Sequence, residues 1–171
     1  SAKSEGNPIT EIYEWHDKLP FKYVVMVNAC CPLLKRETID DFIAQFAQSD
    51  FEGMFGVIKK KNYFWEKETQ HSDKLFTGPS LVKWPEGQVI MNTKIMKETL
   101  EAAHVLYASR IDTIKDGVWM GNLNGSDPKL GFYAMEEEEC LDIDYPWQFE
   151  AWEAVYKDKI RRQHESNCCR Y

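Results

Sequence analysis

The chain contains no run of apolar residues near the ~20 that a membrane-spanning helix needs, and its first residues lack the apolar core of a secretory signal. It also lacks the phosphate loops G-x-x-x-x-G-K-S/T and G-x-G-x-x-G and the G-x-S-x-G turn of a hydrolase nucleophile. None of its five cysteines shows the C-x-x-C spacing of a zinc site. These absences predict a cytoplasmic protein whose cysteines are buried free thiols.

Basic residues are outnumbered in this chain, since 21 Lys and Arg stand against 28 Asp and Glu and leave a net charge of −7. Nucleic acids and anionic membranes bind clustered Lys and Arg, so neither partner is expected. Apolar residues make up 43% of the chain and aromatic residues 13%, which predicts one packed domain over residues 1–171. Residues 1–7 are expected to form a flexible leader and residues 165–171 a flexible tail.

The apolar pattern of the first third of the chain alternates between helix and strand. It predicts a helix over 8–19, a strand over 21–28, a helix over 36–48 and a strand over 54–58. The run at 21–28 is almost continuously apolar, which is typical of a central parallel strand that is buried on both faces. This order of helix, strand, helix and strand predicts an α/β protein with a parallel sheet covered by layers of helices.

The remainder of the chain is less regular. Residues 62–84 are aromatic, charged and interrupted by Gly and Pro, which indicates an excursion from the sheet. The pattern further predicts a strand over 88–92, a helix over 93–108, a loop over 117–127 and a strand over 131–135.

Two acidic residues, Asp142 and Asp144, stand just before a Pro-initiated helical pattern that starts at Pro146. Residues at i and i+2 of a strand share a face, so we expect both carboxylates to point the same way. Carboxylates at a strand end are a common site for hard cations in α/β proteins, although one D-x-D triplet is common by chance. The preceding run of four Glu, 136–139, is interpreted as a solvated edge.

Asn28 lies where the apolar strand gives way to a loop, so its amide is able to hold a polar ligand. The alternative is that Asn28 and Pro32 only end the strand and that Asn28 binds no ligand. The four histidines have no distinctive neighbours and are interpreted as ordinary surface or half-buried residues.

Four segments, taken in order, resemble the CMP-sugar synthetases, the cytidylyltransferases that activate sialic acid and related 3-deoxy-2-ulosonic acids. The segments are 25–34 (VMVNACCPLL), 54–58 (MFGVI), 86–91 (EGQVIM) and 133–149 (YAMEEEECLDIDYPWQF). The resemblance that they define covers roughly residues 8 to 160. Each segment alone is a weak signal, whereas the ordered set is fairly specific.

The resemblance implies a three-layer α/β/α, Rossmann-like (GT-A-like nucleotidyltransferase) fold with a mainly parallel sheet. It implies that an acidic sugar attacks the α-phosphorus of CTP and expels pyrophosphate. Asp142 and Asp144 would hold Mg²⁺, and Asn28, Gly87 and Gln88 would bind substrate. Family members are commonly homodimers, and the dimerisation arm would correspond to residues 62–84.

The departures from the family pattern leave other interpretations open. The family's basic, glycine-rich triphosphate loop is not found here, which predicts that the N-terminal portion of the family fold is missing and leaves open whether this chain alone is active. Cys30 and Cys31 replace a Thr-Ser pair, and Gln148 replaces the last family Asp. The alternatives are a non-catalytic, degenerate sugar-binding or assembly module of the same fold, and an unrelated Mg²⁺-dependent transferase.

Overall fold

The structure is a computed structural model. It describes residues 14–65, 69–77, 86–87, 92–115 and 129–168. The chain divides into two compact units, one formed by Ser1–Ile58 with Ala102–Tyr171 and the other by Lys59–Glu101.

The described elements are six strands, three α-helices and three short 3-10 helices. The strands are β1 (Tyr23–Val27), β2 (Gly53–Lys60), β3 (Thr69–Ser72), β4 (Leu75–Thr77), β5 (Thr99–Arg110) and β6 (Leu130–Ala134). The α-helices are α1 (Arg36–Gln48), α2 (Ile111–Lys115) and α3 (Pro146–Cys168). The 3-10 helices are Glu14–Lys18, Thr93–Ile95 and Glu137–Cys140.

The main sheet has the strand order β1-β5-β2-β6. β1 runs antiparallel to β5, and β6 runs parallel to β2. β5 runs antiparallel to β2, because the N–H of Arg110 donates to Glu52 while the hydroxyl of Thr99 donates to Lys60 (2.9 and 3.2 Å). The α/β class is therefore confirmed, but the prediction of a mainly parallel sheet is wrong, since one of the three described strand pairs is parallel.

β1 occupies an edge of the described sheet, with β5 as its one described neighbour. The prediction of a central parallel strand for 21–28 is therefore wrong. Most of β1 is half-exposed, and Val27 is 44% exposed. Apolar composition alone does not reveal on which side of a strand its hydrogen-bonding neighbours lie.

Residues 93–108, predicted as a helix, instead form a 3-10 turn and most of β5. The Ala, Leu and Glu content of this stretch favours a helix locally. In the structure β5 is instead paired on both sides, by β1 and β2, and Ala103, Val105, Leu106 and Ala108 are buried. Tertiary pairing of this kind outweighs helix propensity.

α1 has the predicted bounds and packs against one face of the sheet. Phe42 and Phe46 are fully buried in the core cluster. The ring of Phe46 meets that of Tyr23 edge-on at 5.5 Å, and the ring of Phe42 meets that of Tyr133 at 5.3 Å. These contacts tie α1 to both edge strands, β1 and β6. Edge-to-face pairs contribute about 0.5–1.5 kcal/mol each beyond their buried area.

The unit Lys59–Glu101 contains a hairpin of β3 and β4 and includes the predicted excursion, 62–84. Within it, Lys59 pairs with Glu98 and Lys60 with Glu101, each at 3.6 Å. Of the strand predicted over 88–92, residues 88–91 lie outside the described residues, as do the loop predicted at 117–127 and both predicted flexible ends apart from 165–168.

Candidate functional site

The segment that carries Asp142 and Asp144 follows the 3-10 helix Glu137–Cys140 and has no strand pairing. The predicted strand at this position is therefore wrong, although the strand just before it, β6, and the helix just after it, α3, are confirmed. The segment is instead fixed by hydrogen bonds to side chains and to another loop, which a sequence pattern does not reveal.

Asn28 and Asp142, 114 residues apart, are brought together at the end of β1. The Nδ2 group of Asn28 donates to Oδ2 of Asp142 at 3.3 Å and to the carbonyl of His104 at 3.1 Å. Its Oδ1 accepts from the N–H of Cys30 at 2.9 Å. Both amide protons are thus engaged, so in this structure Asn28 orients Asp142.

Backbone contacts hold Asp142 from its other side. The N–H of Ile143 lies 3.1 Å from the carbonyl of Cys30, which joins this segment to the loop after β1. The same N–H lies 2.8 Å from Oδ1 of Asp142. The indole of Trp152, on α3, donates to the carbonyl of Asp142 at 3.0 Å. The carboxylate of Asp142 is therefore contacted by Asn28 and by the N–H of Ile143, the backbone of the residue is held by α3, and the residue is half-buried.

Gln148 fixes the backbone at Asp144. Its Oε1 accepts from the N–H groups of Asp144 and Tyr145, both at 2.7 Å. Gln148 is the third residue of α3, and a Gln that reaches back to the residue before the helix is one half of a capping box. Asp144 itself is exposed. Gln148, which occupies the position of a family Asp, therefore has a structural role here.

Glu139 is buried, with 2% of its surface exposed, so the interpretation of its acidic run as a solvated edge is wrong at this residue. Its carboxylate accepts from the ammonium of Lys35 at 2.6 Å and from the N–H of Lys35 at 3.3 Å. Burial alone would raise the pKa of Glu139, but hydrogen bonds from Lys35 and Thr38 outweigh burial and lower it. The hydrogen bond to Glu139 in turn raises the pKa of Lys35.

Among Cys30, Cys31 and Cys140, only Cys31 is buried. Burial is the main cause that raises the pKa of Cys31 to about 12, with smaller contributions from the charges of Asp142 and Cys140. Cys30 is exposed and Cys140 is half-buried. The prediction of buried thiols is therefore right for Cys31 and wrong for Cys30, which lies in the turn after β1.

His104 has a φ of 55°, a left-handed conformation that a non-glycine residue rarely adopts within a strand. Its carbonyl accepts from Asn28, and its Nδ1 lies 2.8 Å from the hydroxyl of Tyr107. The strain is thus located beside the Asn28–Asp142 contact, and strained residues often accompany functional sites.

We expect His104→Gly to be more stable than His104→Ala by about 1 kcal/mol, because both variants lose the ring but only glycine relieves the positive φ. An Ala variant is ordinarily more stable than a Gly variant at a strand position. The reversed order of stability would therefore indicate a positive φ at residue 104. Urea unfolding of the two variants, followed by circular dichroism, measures the difference. An Ala variant equal to or more stable than the Gly variant would contradict the left-handed assignment.

The other predicted substrate residues lie in the unit Lys59–Glu101. Gly87 is exposed in a turn, and its φ of 75° favours glycine. Gln88 lies outside the described residues. The substrate-binding roles of both residues stay predictions.

The chemistry of the two Asp residues fits Mg²⁺, which usually keeps several waters and binds one or two carboxylates together with substrate phosphates. Asp142 retains lone pairs on both oxygens beyond the hydrogen bonds it accepts. Within the described residues, no group of three or more His, Cys, Asp or Glu forms a ready metal cage. A two-carboxylate site that is completed by substrate is consistent with this arrangement.

No family model and no curated protein matches this chain. Among the described residues, no helix is both long enough and apolar enough to cross a membrane.

Sequence reasoning missed Glu139, Trp152 and Gln148 as residues that position this segment. The Gln at the third position of a Pro-initiated helix was a detectable signal, because it matches half of a capping box. The other two give no local signal, since Lys35 lies 104 residues from Glu139 and the contact of Trp152 with Asp142, ten residues back, matches no capping pattern.

Proposed function

We propose that this protein is a Mg²⁺-dependent cytidylyltransferase of the CMP-sugar synthetase type, which couples CTP to a sialic acid or a related ulosonic acid. The observation that carries the proposal is the 3.3 Å hydrogen bond between Asn28 and Asp142. It brings together two of the four segments that carry the family resemblance, which are 114 residues apart at this contact.

In this proposal, Asp142 and Asp144 hold Mg²⁺, which would neutralise charge on the phosphates when bound. Asn28 orients the carboxylate of Asp142, and Gln148 fixes the backbone that carries Asp144. Trp152, on α3, holds the backbone of Asp142 in place through the hydrogen bond from its indole to the carbonyl of Asp142. The chain's own contribution is thus one pre-oriented carboxylate, that of Asp142, and a fixed backbone at Asp144, which reduces the cost of ordering the site.

The test is pyrophosphate release from CTP and Mg²⁺ with a panel of ulosonic acids. We expect Asp142→Asn to lower the rate at least about 100-fold, because it removes the carboxylate charge that would hold Mg²⁺ at the phosphates. Asp40→Asn is the matched control, since Asp40 is an exposed Asp on α1 paired with Arg36. Equal rates for wild type and Asp142→Asn would refute the proposed role.

One observation favours the second candidate, a non-catalytic sugar-binding module. A cleft of about 580 Å³ lies between the 32–37 segment and α3 and includes apolar Leu33 and Ile160. Its three cations are Lys35, Lys159 and Arg162, and each is already ion-paired to a carboxylate. Such a lining suits a polar sugar better than a triphosphate. Thermal stabilisation by sugar without any pyrophosphate release would support this candidate and exclude the first for this chain.

A further inference from the structure

His104 combines an unusual backbone with an exposed ring. It is the one non-glycine residue with a positive φ among the described residues, and it lies inside β5. Residues three apart in a regular strand point to opposite faces of the sheet. Nδ1 of His104 nevertheless lies 2.8 Å from the hydroxyl of Tyr107, three residues along the same strand. The left-handed backbone therefore breaks the alternation of the strand and brings the imidazole to the phenol, as β-bulges re-aim side chains beside active sites.

Asn28 joins this histidine to the candidate site. Its Nδ2 group donates to the carbonyl of His104 at 3.1 Å and to Oδ2 of Asp142 at 3.3 Å. One side-chain nitrogen therefore separates the backbone of His104 from the carboxylate that would hold Mg²⁺. The strained position in β5 and the Asp142 segment are fixed to each other through this contact.

The ring of His104 is chemically suited to accept a proton. Its hydrogen bond with Tyr107 uses Nδ1, and the residue is exposed, so no described residue occupies Nε2 by hydrogen bonding. When Nδ1 carries the proton and donates to the hydroxyl of Tyr107, Nε2 keeps its lone pair. A hydrogen bond at one ring nitrogen is the usual means by which a protein fixes which nitrogen is protonated. Histidine is also the side chain that most often serves as a general base.

We propose that His104 is the general base of the cytidylyl transfer and that Tyr107 positions its ring. Nε2 takes the proton of the attacking sugar hydroxyl while the oxygen of that hydroxyl bonds to the α-phosphorus of CTP. The bond from the α-phosphorus to its bridging oxygen breaks, and pyrophosphate leaves with the electron pair. The inference rests on the proposed function and adds to it the group that accepts the proton.

A first test needs neither substrate nor metal. In protein labelled with ¹⁵N at histidine, the ring nitrogen shifts of His104 report which nitrogen carries the proton when the ring is neutral. We expect the proton at Nδ1 in the wild type, and a loss of this preference in Tyr107→Phe, which removes the hydroxyl. Tyr156→Phe, at an exposed tyrosine on α3, is the control and should leave the His104 shifts unchanged. A wild-type His104 protonated at Nε2 would overturn the proposal.

A second test measures pyrophosphate release and Mg²⁺-dependent CTP binding in His104→Gly, which accommodates the positive φ. We expect the rate to fall at least about 100-fold, the usual scale for loss of a general base, while CTP binding changes little. Added imidazole should restore part of the rate, because it fits the space that the ring vacates. His104→Asn also tolerates the left-handed backbone, but its amide fills part of that space, so it should be slow and unresponsive to imidazole. His71→Asn, at an exposed histidine on β3, is the control and should keep the wild-type rate.

The outcomes separate this inference from the proposed function. A wild type that releases no pyrophosphate from CTP with any sugar acid of the panel would refute the proposed function, and the role of His104 with it. With an active wild type, an unchanged rate in His104→Gly would overturn the role of His104 alone. A lost rate that imidazole does not restore would also overturn it, because His104 would then act through its backbone contact with Asn28.

Discussion

Replacing Glu139 with alanine is expected to lower the free energy of unfolding by about 2–3 kcal/mol, because it removes charge-assisted hydrogen bonds from a buried site. The carboxylate accepts from both the ammonium and the N–H of Lys35, the residue just before α1. The negative charge of Glu139, next to the N-terminus of α1, also interacts favourably with the dipole of that helix. The remaining Lys35 side chain is 53% exposed and can be hydrated, which keeps the loss below that of a fully buried pair.

Glu138→Ala is the matched control for this prediction. Glu138 is the preceding carboxylate in the same run, is 48% exposed and pairs with Lys159. Exposed ion pairs contribute about 0–1 kcal/mol, so this variant should change stability little. Urea unfolding at neutral pH measures both variants. Equal losses for the two would mean that Glu139 acts as an ordinary surface acid.

The effect of Glu139→Ala should depend on pH in one direction. The pKa of Glu139 is lower in the folded chain than its ordinary value of 4.5. Its stabilising contribution is therefore fully present above that ordinary value and is lost as pH falls through the lowered folded-state pKa. We expect the difference between wild type and Glu139→Ala to shrink below about pH 4. A difference that grew in acid would contradict the assigned direction.

Under the proposed function, replacing Asn28 with alanine is expected to weaken Mg²⁺-dependent nucleotide binding by about 10- to 100-fold, since residues that orient a metal ligand commonly have effects of this size. The variant loses the donors to Asp142 and His104 and the acceptor for Cys30. Asp142 would then be free to rotate, and His104 would lose a bond that holds its strained conformation. Calorimetric titration of CTP with Mg²⁺, with and without the substitution, measures the change.

Asn92→Ala is the control for a general loss of stability. Oδ1 of Asn92 accepts from the N–H of Lys94 at 3.0 Å, two residues ahead, as Oδ1 of Asn28 accepts from Cys30. The control thus removes the same kind of turn contact in the unit Lys59–Glu101. We expect it to leave Mg²⁺-dependent binding unchanged. Equal weakening by both substitutions would show that Asn28 acts on stability and not on Asp142.

Local sequence patterns were sufficient to predict some helices and strands and insufficient for others. The bounds of α1 were predictable because its apolar spacing places Phe42 and Phe46 on one face, and that face is the one buried in the structure. β5 was not predictable as a strand because its pairing with β1 and β2 depends on residues up to 87 positions away. For the same reason, the edge position of β1 could not be inferred from its apolar run.

The candidate site follows the same division. Asp142, Asp144 and Asn28 were recognisable as polar residues where regular elements end. The hydrogen bond between Asn28 and Asp142 was not predictable from the sequence. The burial of Glu139 was hidden in a run of four identical residues, because only its long-range partner, Lys35, distinguishes it. Residue type therefore indicated which side chains carry chemistry, whereas their arrangement required the fold.

The central claim is that Asp142, oriented by Asn28, is the metal-binding end of a nucleotide site, and paramagnetic broadening by Mn²⁺ tests it most directly. Mn²⁺, a hard cation that accepts the same oxygen ligands as Mg²⁺, would be titrated in substoichiometric amounts into the isotope-labelled protein with CTP. We expect the side-chain amide of Asn28 and the backbone amides of Asp142 and Asp144 to broaden first, and Asp142→Asn to abolish the effect. Sharp Asn28 signals while other residues broaden, or the same broadening in Asp142→Asn, would contradict the account.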